Sequence, residues 1–124
     1  MWIGLVGSEM CIRDRQMGAH GNMMGLGAHW EMELFTHGTF SNYDAIEIAT
    51  INGFKHHGLD HILGSIEPGK LADMVIMTQN PLEDIRNTRS IEYVVKNGVI
   101  YSGEDASRVY PNPKSAPRLY FKEK

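Results

Sequence analysis

The stretch GSIEPGKLADMVIM, residues 64–77, decides how the chain is read. Pro68-Gly69 is a turn signal. Leu71 to Met77 is a near-continuous apolar run, interrupted by Asp73. Its length and its Met74-Val75-Ile76-Met77 centre predict a buried strand, closed by Asn80-Pro81. An acid inside such a strand needs a partner. With Lys70 nearby, Asp73 is expected in a structural hydrogen bond or ion pair rather than in catalysis.

Downstream, IEYVVKNGVIYSG (residues 91–103) reads as a β-hairpin. Ile91 to Lys96 and Val99 to Tyr101 flank Asn97-Gly98, the pair favoured in a type I′ turn. From Ser102 the chain is polar, with Pro111, Pro113 and Pro117. It is expected to wrap over a surface, held by Tyr110, Tyr120 and Phe121, or to fray.

Upstream, SNYDAIEIATING (residues 41–53) carries a helix start. Ser41 with Asp44 three residues on makes a capping box. Ala45, Ile48, Ala49 and Asn52 share one face, flanked by Ile46, and Phe54 to His57 extend the helix until Gly58 stops it. An earlier helix is predicted around HWEMELFTH (residues 29–37), from Leu26, Trp30 and Leu34 at i, i+4 and i+8, with Gly38 ending it. Before that, QMGAHGNMMGLG (residues 16–27) has four glycines and reads as a loop that turns tightly or admits a close neighbour. The order is loop, helix, helix, strand, hairpin, tail. Amphipathic helices need a surface to pack on, so this order implies that a large part of the protein precedes it.

Residues 1–15, MWIGLVGSEMCIRDR, do not fit the pattern. Trp2 to Val6 is too short for a signal-peptide core and has no basic residue before it. Cys11 has no second cysteine to pair with. Leu5 to Asp14 back-translates as CTCGTGGGCTCGGAGATGTGTATAAGAGAC, which resembles a transposase-type sequencing adapter, and Arg15 fits the junction. Residues 1–15 are therefore expected to be non-native. Four regions follow: 1–15 adapter-derived, 16–62 and 63–102 as two structural parts, and 103–124 as a polar, proline-containing tail.

Composition is that of an ordinary globular chain. The net charge of −3 leaves no electrostatic footprint for nucleic acid. No basic cluster marks a membrane surface, and no apolar run approaches the roughly 20 residues of a span.

DAIEIATINGFKHHGL (44–59), GSIEPGKLADMVIM (64–77) and NPLEDIRNTRSIEYVVKNGVIY (80–101) together resemble the C-terminal end of the amidohydrolase superfamily. The likeness is to its imidazolonepropionase-like and prolidase-like members, and within them to a Tol-associated periplasmic group. It runs from about Gln16 to Ser102. The resemblance implies an α/β fold: a (β/α)8 barrel with its metal site at the C-terminal strand ends, beside a small β-sandwich built from both chain ends. Residues 16–62 would hold the end of strand eight and the last barrel helices, and residues 63–102 strands of the sandwich. It also implies a periplasmic location, a small-molecule amide or peptide-like substrate, and a divalent metal, zinc, in the whole protein. The oligomeric state is left open.

Of the family's metal ligands only the strand-eight position falls in this chain. There the family carries Gly-Thr-Asp, and this sequence has Gly18-Ala19-His20. His20 would take the place of the catalytic Asp as ligand and base, roles open to a neutral imidazole though without the negative charge. The bland alternative is a loop histidine bonded to backbone. Asn22, His29 and Glu31 are candidate substrate contacts, or, for His29 and Glu31, groups that orient His20. Their plain alternatives are a turn residue and a helix start favoured by the dipole. His56-His57 resemble a ligand pair but, as helical neighbours, point about 100° apart. His37 and His61 carry no specific signal, and the methionines read as core fillers. The expected function is hydrolysis of a carbon–nitrogen bond through a metal-activated water. A non-enzymatic sheet module and a degenerate amidohydrolase without metal remain as alternatives.

Overall fold

The computed structural model describes residues 17, 18, 23 and 25–116. Three helices come first: α1 (Leu26–Thr36), α2 (Asn42–Ala49) and α3 (Ile51–His56). Strand β1 (Met74–Met77) follows, then a 3-10 helix (Ile85–Arg89), then β2 (Ile91–Lys96), β3 (Val99–Ser102) and β4 (Arg108–Tyr110). The strands form one antiparallel sheet in the order β1-β2-β3-β4.

The capping box forms as the spacing predicts. The Ser41 hydroxyl oxygen accepts the Asp44 N–H at 3.2 Å, and the Asp44 carboxylate accepts the Ser41 N–H at 2.8 Å. The Ser41 hydroxyl also donates to the Asp44 carboxylate at 2.7 Å, and this bond first, with the Ser41 N–H second, holds the Asp44 carboxyl below its ordinary pKa. Ala45, Ile48 and Asn52 are buried along one face, as expected. The helix is nonetheless two pieces. At Thr50 (φ −125°, ψ −98°) the backbone leaves helical geometry, while the Thr50 hydroxyl donates to the Ile46 carbonyl at 2.7 Å. Gly58, at φ +69°, ends α3.

The first helix begins at Leu26, so neither His29 nor Glu31 is at its start. Leu26, Trp30 and Leu34 are exposed among the described residues, Leu34 at 66%. The opposite side packs instead. Met32 joins Ala45 of α2 and Ile85 of the 3-10 helix in a small core, with Met17, Phe35, Ile46 and Ala49 against it. Burial of a side chain such as Ile85 is worth about 1.5–3 kcal/mol, so this cluster is what fastens the helices to the later part of the chain.

The strand expected over Leu71–Met77 is shorter and less buried than predicted. Leu71 donates its N–H to the Ile62 carbonyl at 3.0 Å, which ties it to the turn after α3. Pairing begins at Met74↔Val95. Val75 and its partner Val94 in β2 lie on an exposed face of the sheet, at 47% and 36%, whereas Val95 on the other face is buried. Asp73 does make a structural ion pair, but with Lys96, and it accepts the Asn97 N–H at 2.6 Å. Lys70 turns the other way, donating to Ser65 Oγ at 2.6 Å and to Glu67 at 3.1 Å. The Asp73 contacts fall at the hairpin turn, where Asn97 (φ +48°) and Gly98 (φ +77°) both take the left-handed conformation of a type I′ turn.

The tail departs further from expectation. Residues 108–110 extend the sheet as β4, with Tyr101↔Arg108 and Ile100↔Tyr110 paired across a register shift. The chain then reverses, and Arg108 and Lys114 exchange backbone hydrogen bonds at 2.9 Å in each direction. Tyr120 and Phe121 lie outside the described residues.

Gly64 and Gly69 both have φ above +90°. A Cβ at Gly64 would lie 2.8 Å from the Phe54 ring and 2.9 Å from the Ile51 Cα, whereas at Gly69 it would meet open space. Gly69→Ala is expected to cost about 1–2 kcal/mol of stability from the left-handed backbone alone. Gly64→Ala should cost roughly 1–3 kcal/mol more from the clash. Urea unfolding of the two variants measures the difference.

Candidate functional site

The polar side chains of α1 reach two other parts of the chain. Glu31 lies one turn and a half into the helix and points to the segment before it. Its carboxylate accepts the Gly18 N–H through both oxygens, at 2.9 and 3.1 Å. Gly18 stands two residues before His20. His20 and Asn22 themselves lie outside the described residues.

His29 and Glu33, one turn apart, reach the 3-10 helix. His29 Nδ1 is 2.9 Å from Thr88 Oγ1, and Thr88 is 1% exposed. Glu33 forms an ion pair with Arg89. The 3-10 helix is itself set by Asp84, whose carboxylate accepts the Arg86 N–H at 2.9 Å and pairs with the Arg86 guanidinium. Those contacts lower the Asp84 pKa to about 2. Desolvation lowers the pKa of His29, the Arg89 charge lowers it further, and Glu33 opposes them. The imidazole is thus held neutral at the meeting point of α1 and the 3-10 helix.

The arrangement brings His29 and Glu31 onto one helix but gives each a different intramolecular partner. Thr88, Arg89 and Glu33 were not anticipated. Glu33 and Arg89 are 56 residues apart and lie in no recognisable motif. Among the described residues no group of three or more His, Cys, Asp or Glu side chains is placed to hold a metal ion. His56, the last residue of α3, and His57, its C-cap, are exposed and meet edge to face, with ring centroids 5.4 Å apart. An open groove beside α2 and α3 is lined by Tyr43, Lys55, His61, Ser65, Glu67 and Lys70 among others, and within it the Ser65 hydroxyl accepts from Lys70 Nζ at 2.6 Å and donates to the Glu67 carboxylate. Among the described residues no helix is long and apolar enough to cross a membrane.

The chain belongs to the amidohydrolase family, whose model matches residues 6–101. Over 72 residues it is 39% identical to guanine deaminase of Escherichia coli (strain K12), a match covering 56% of this chain and 16% of that protein. It superposes on molinate hydrolase with a TM-score of 0.62 and 33% identity, over 77% of this chain and 21% of that one. A Xaa-Pro dipeptidase solved with methionine in its active site gives a TM-score of 0.58 and 35% identity, over 60% and 18%. The chain therefore spans less than a quarter of each of these relatives. Such relatives imply a barrel fold; the described residues show mixed helices and the antiparallel sheet.

The His29 contact has a pH signature. Its folded pKa lies below the ordinary 6.5, so between the two values the unfolded chain binds more protons than the folded one. Stability is then full above about pH 6.5 and falls as the pH drops through the folded pKa. Urea midpoints taken at pH 7.5 and 5.5 are expected to fall for the wild type and to fall less for His29→Gln. Equal losses would remove His29 as the source.

Proposed function

We propose that this chain is part of a larger metal-dependent amidohydrolase that hydrolyses a carbon–nitrogen bond in a small amide, cyclic amide or dipeptide-like molecule. The family match over residues 6–101 carries the reading. The names of its relatives, a guanine deaminase and a Xaa-Pro dipeptidase among them, support the bond class. In this reading residues 16–62 close the barrel at strand eight and its last helices. Residues 63–102 belong to the sandwich, residues 103–124 are an appended tail, and the whole protein is periplasmic.

His20 stands where the family carries the strand-eight Asp. As a neutral imidazole it accepts the proton of the attacking water. The resemblance implies a divalent ion, zinc, that acidifies this water when bound, with His20 as this chain's ligand to it. The described residues do not fit such an ion by themselves, so the share of the reaction assigned to this chain is the proton transfer at His20. Asn22, His29 and Glu31 are the proposed substrate contacts. They follow His20 within one short stretch, and the Thr88 contact of His29 Nδ1 leaves Nε2 as the ring atom to meet a ligand. One competing reading rests on a specific departure: Gly18-Ala19-His20 replaces a carboxylate by an imidazole, as in an amidohydrolase that has lost its metal.

The whole protein, purified from its complete gene, is expected to hold stoichiometric zinc and to turn over members of a panel of N-acyl amino acids, dipeptides and aminopurines. Residues 16–124 expressed alone should show neither. No metal in the whole protein would favour the degenerate form. Tight zinc with turnover in residues 16–124 would sink the proposal.

Residues 1–15 are read as adapter-derived, although the family match begins at residue 6. Sequencing the gene from source DNA settles this. A His-x-His after an early strand, and a different sequence in place of LVGSEMCIRDR, are expected. Recovery of LVGSEMCIRDR from the genome would refute the adapter reading.

A further inference from the structure

The sequence holds two Asn-Gly pairs, Asn52-Gly53 and Asn97-Gly98. In such a pair the glycine nitrogen can attack the asparagine side-chain carbonyl carbon, since glycine has no Cβ to hinder the approach. A bond forms between the glycine nitrogen and Cγ. The bond from Cγ to the side-chain nitrogen breaks, and ammonia leaves with the glycine amide proton. Water then opens the cyclic imide at either carbonyl, which leaves aspartate or isoaspartate.

The fold treats the two pairs differently. Asn52 is 5% exposed within α3, where helical geometry fixes the Gly53 nitrogen. Asn97 and Gly98 are exposed at the tip of the β2–β3 hairpin. Among the described residues no hydrogen bond holds the Asn97 side-chain amide, and its backbone alone is engaged.

The segment entering β1 is what engages it. The Gly98 N–H donates to the Ala72 carbonyl at 3.1 Å, so the nitrogen that must attack is already occupied. The Asp73 carboxylate accepts the Asn97 N–H at 2.6 Å and pairs with Lys96. The Lys96 hydrogen bond first, and the Asn97 N–H second, hold the Asp73 carboxyl below its ordinary pKa. It is therefore ionised at neutral pH, and its bond to Asn97 is charge-assisted. Imide closure consumes the Gly98 proton and swings the Asn97–Gly98 peptide out of the type I′ geometry. The Ala72 bond must open first, and the Asp73 bond resists the swing.

We propose that Asn97 is a deamidation site of this protein, held in check by Ala72 and Asp73. Conversion gives a carboxylate to the very residue whose N–H Asp73 holds. Two like charges then stand close together, and the isoaspartate form also lengthens the backbone of a two-residue turn. Either product weakens the link between the hairpin and the entry to β1.

Peptide mass spectrometry on the 124-residue chain, aged in mildly alkaline buffer with or without guanidinium chloride, tests this. Under denaturant both pairs should convert at similar rates. In the folded chain Asn97 should convert about tenfold more slowly than under denaturant, the worth of one hydrogen bond opened beforehand, and Asn52 more slowly still. Asp73→Ala should speed conversion of Asn97 by about threefold to tenfold and leave Asn52 at its wild-type rate. Asp73→Asn, which keeps an acceptor oxygen without the ion pair, should fall between. A folded chain that converts Asn52 as fast as Asn97, or that never converts Asn97, overturns the site. Equal Asn97 rates with and without denaturant, or an Asp73→Ala variant with an unchanged Asn97 rate, overturn the restraint. Equal acceleration at Asn52 and Asn97 in Asp73→Ala marks general loosening and overturns it too.

Discussion

The docking of the 3-10 helix on α1 is the contact on which the other parts depend. Ile85 enters the apolar cluster with Met32 and Ala45, Thr88 meets His29, and Arg89 meets Glu33. One short turn thus presents an apolar, a hydroxyl and a cationic side chain to three successive needs of the same helix. The apolar member supplies the driving force. The two polar members fix the angle, since hydrogen bonds and ion pairs are directional where burial is not. Without this docking the helices and the sheet would be joined by little besides the chain between Gly58 and Met74.

That docking also sets how α1 meets the segment before it. With Met32 and Glu33 engaged on one side of α1, Glu31 is turned toward Gly18. The helix is a bracket: one flank meets the 3-10 helix and the other meets Gly18. The exposed Leu26, Trp30 and Leu34 lie on a remaining flank. Family membership offers a reason for that exposure, since the relatives are several times longer than this chain.

Much of the local structure was legible. The capping box at Ser41 and Asp44, the buried face from Ala45 to Asn52, the stop at Gly58 and the turn at Asn97-Gly98 all depend on short continuous stretches of chain. Legibility failed where a partner lay far off in sequence. Lys70 is three residues from Asp73, yet Asp73 pairs with Lys96, 23 residues away. Helical periodicity marked Leu26, Trp30 and Leu34 as a stripe without saying which side of the helix would be covered. The polar tail concealed β4, because a three-residue edge strand carries almost no pattern of its own. At the candidate site, His29 and Glu31 were visible as polar residues of the first helix, but Thr88 was one unremarkable residue in IRNTRS.

By itself the sequence determined the family, the helix start and the turn type. These follow from short-range sterics, from capping chemistry and from motif order along the chain. Tertiary structure decided which face of α1 is buried, which lysine meets Asp73, and that His29 and Glu31 serve opposite flanks of one helix. The reason is physical. Partners 13 to 59 residues apart are chosen by how loops close and which surfaces exclude water, and neither is written in any local window of sequence.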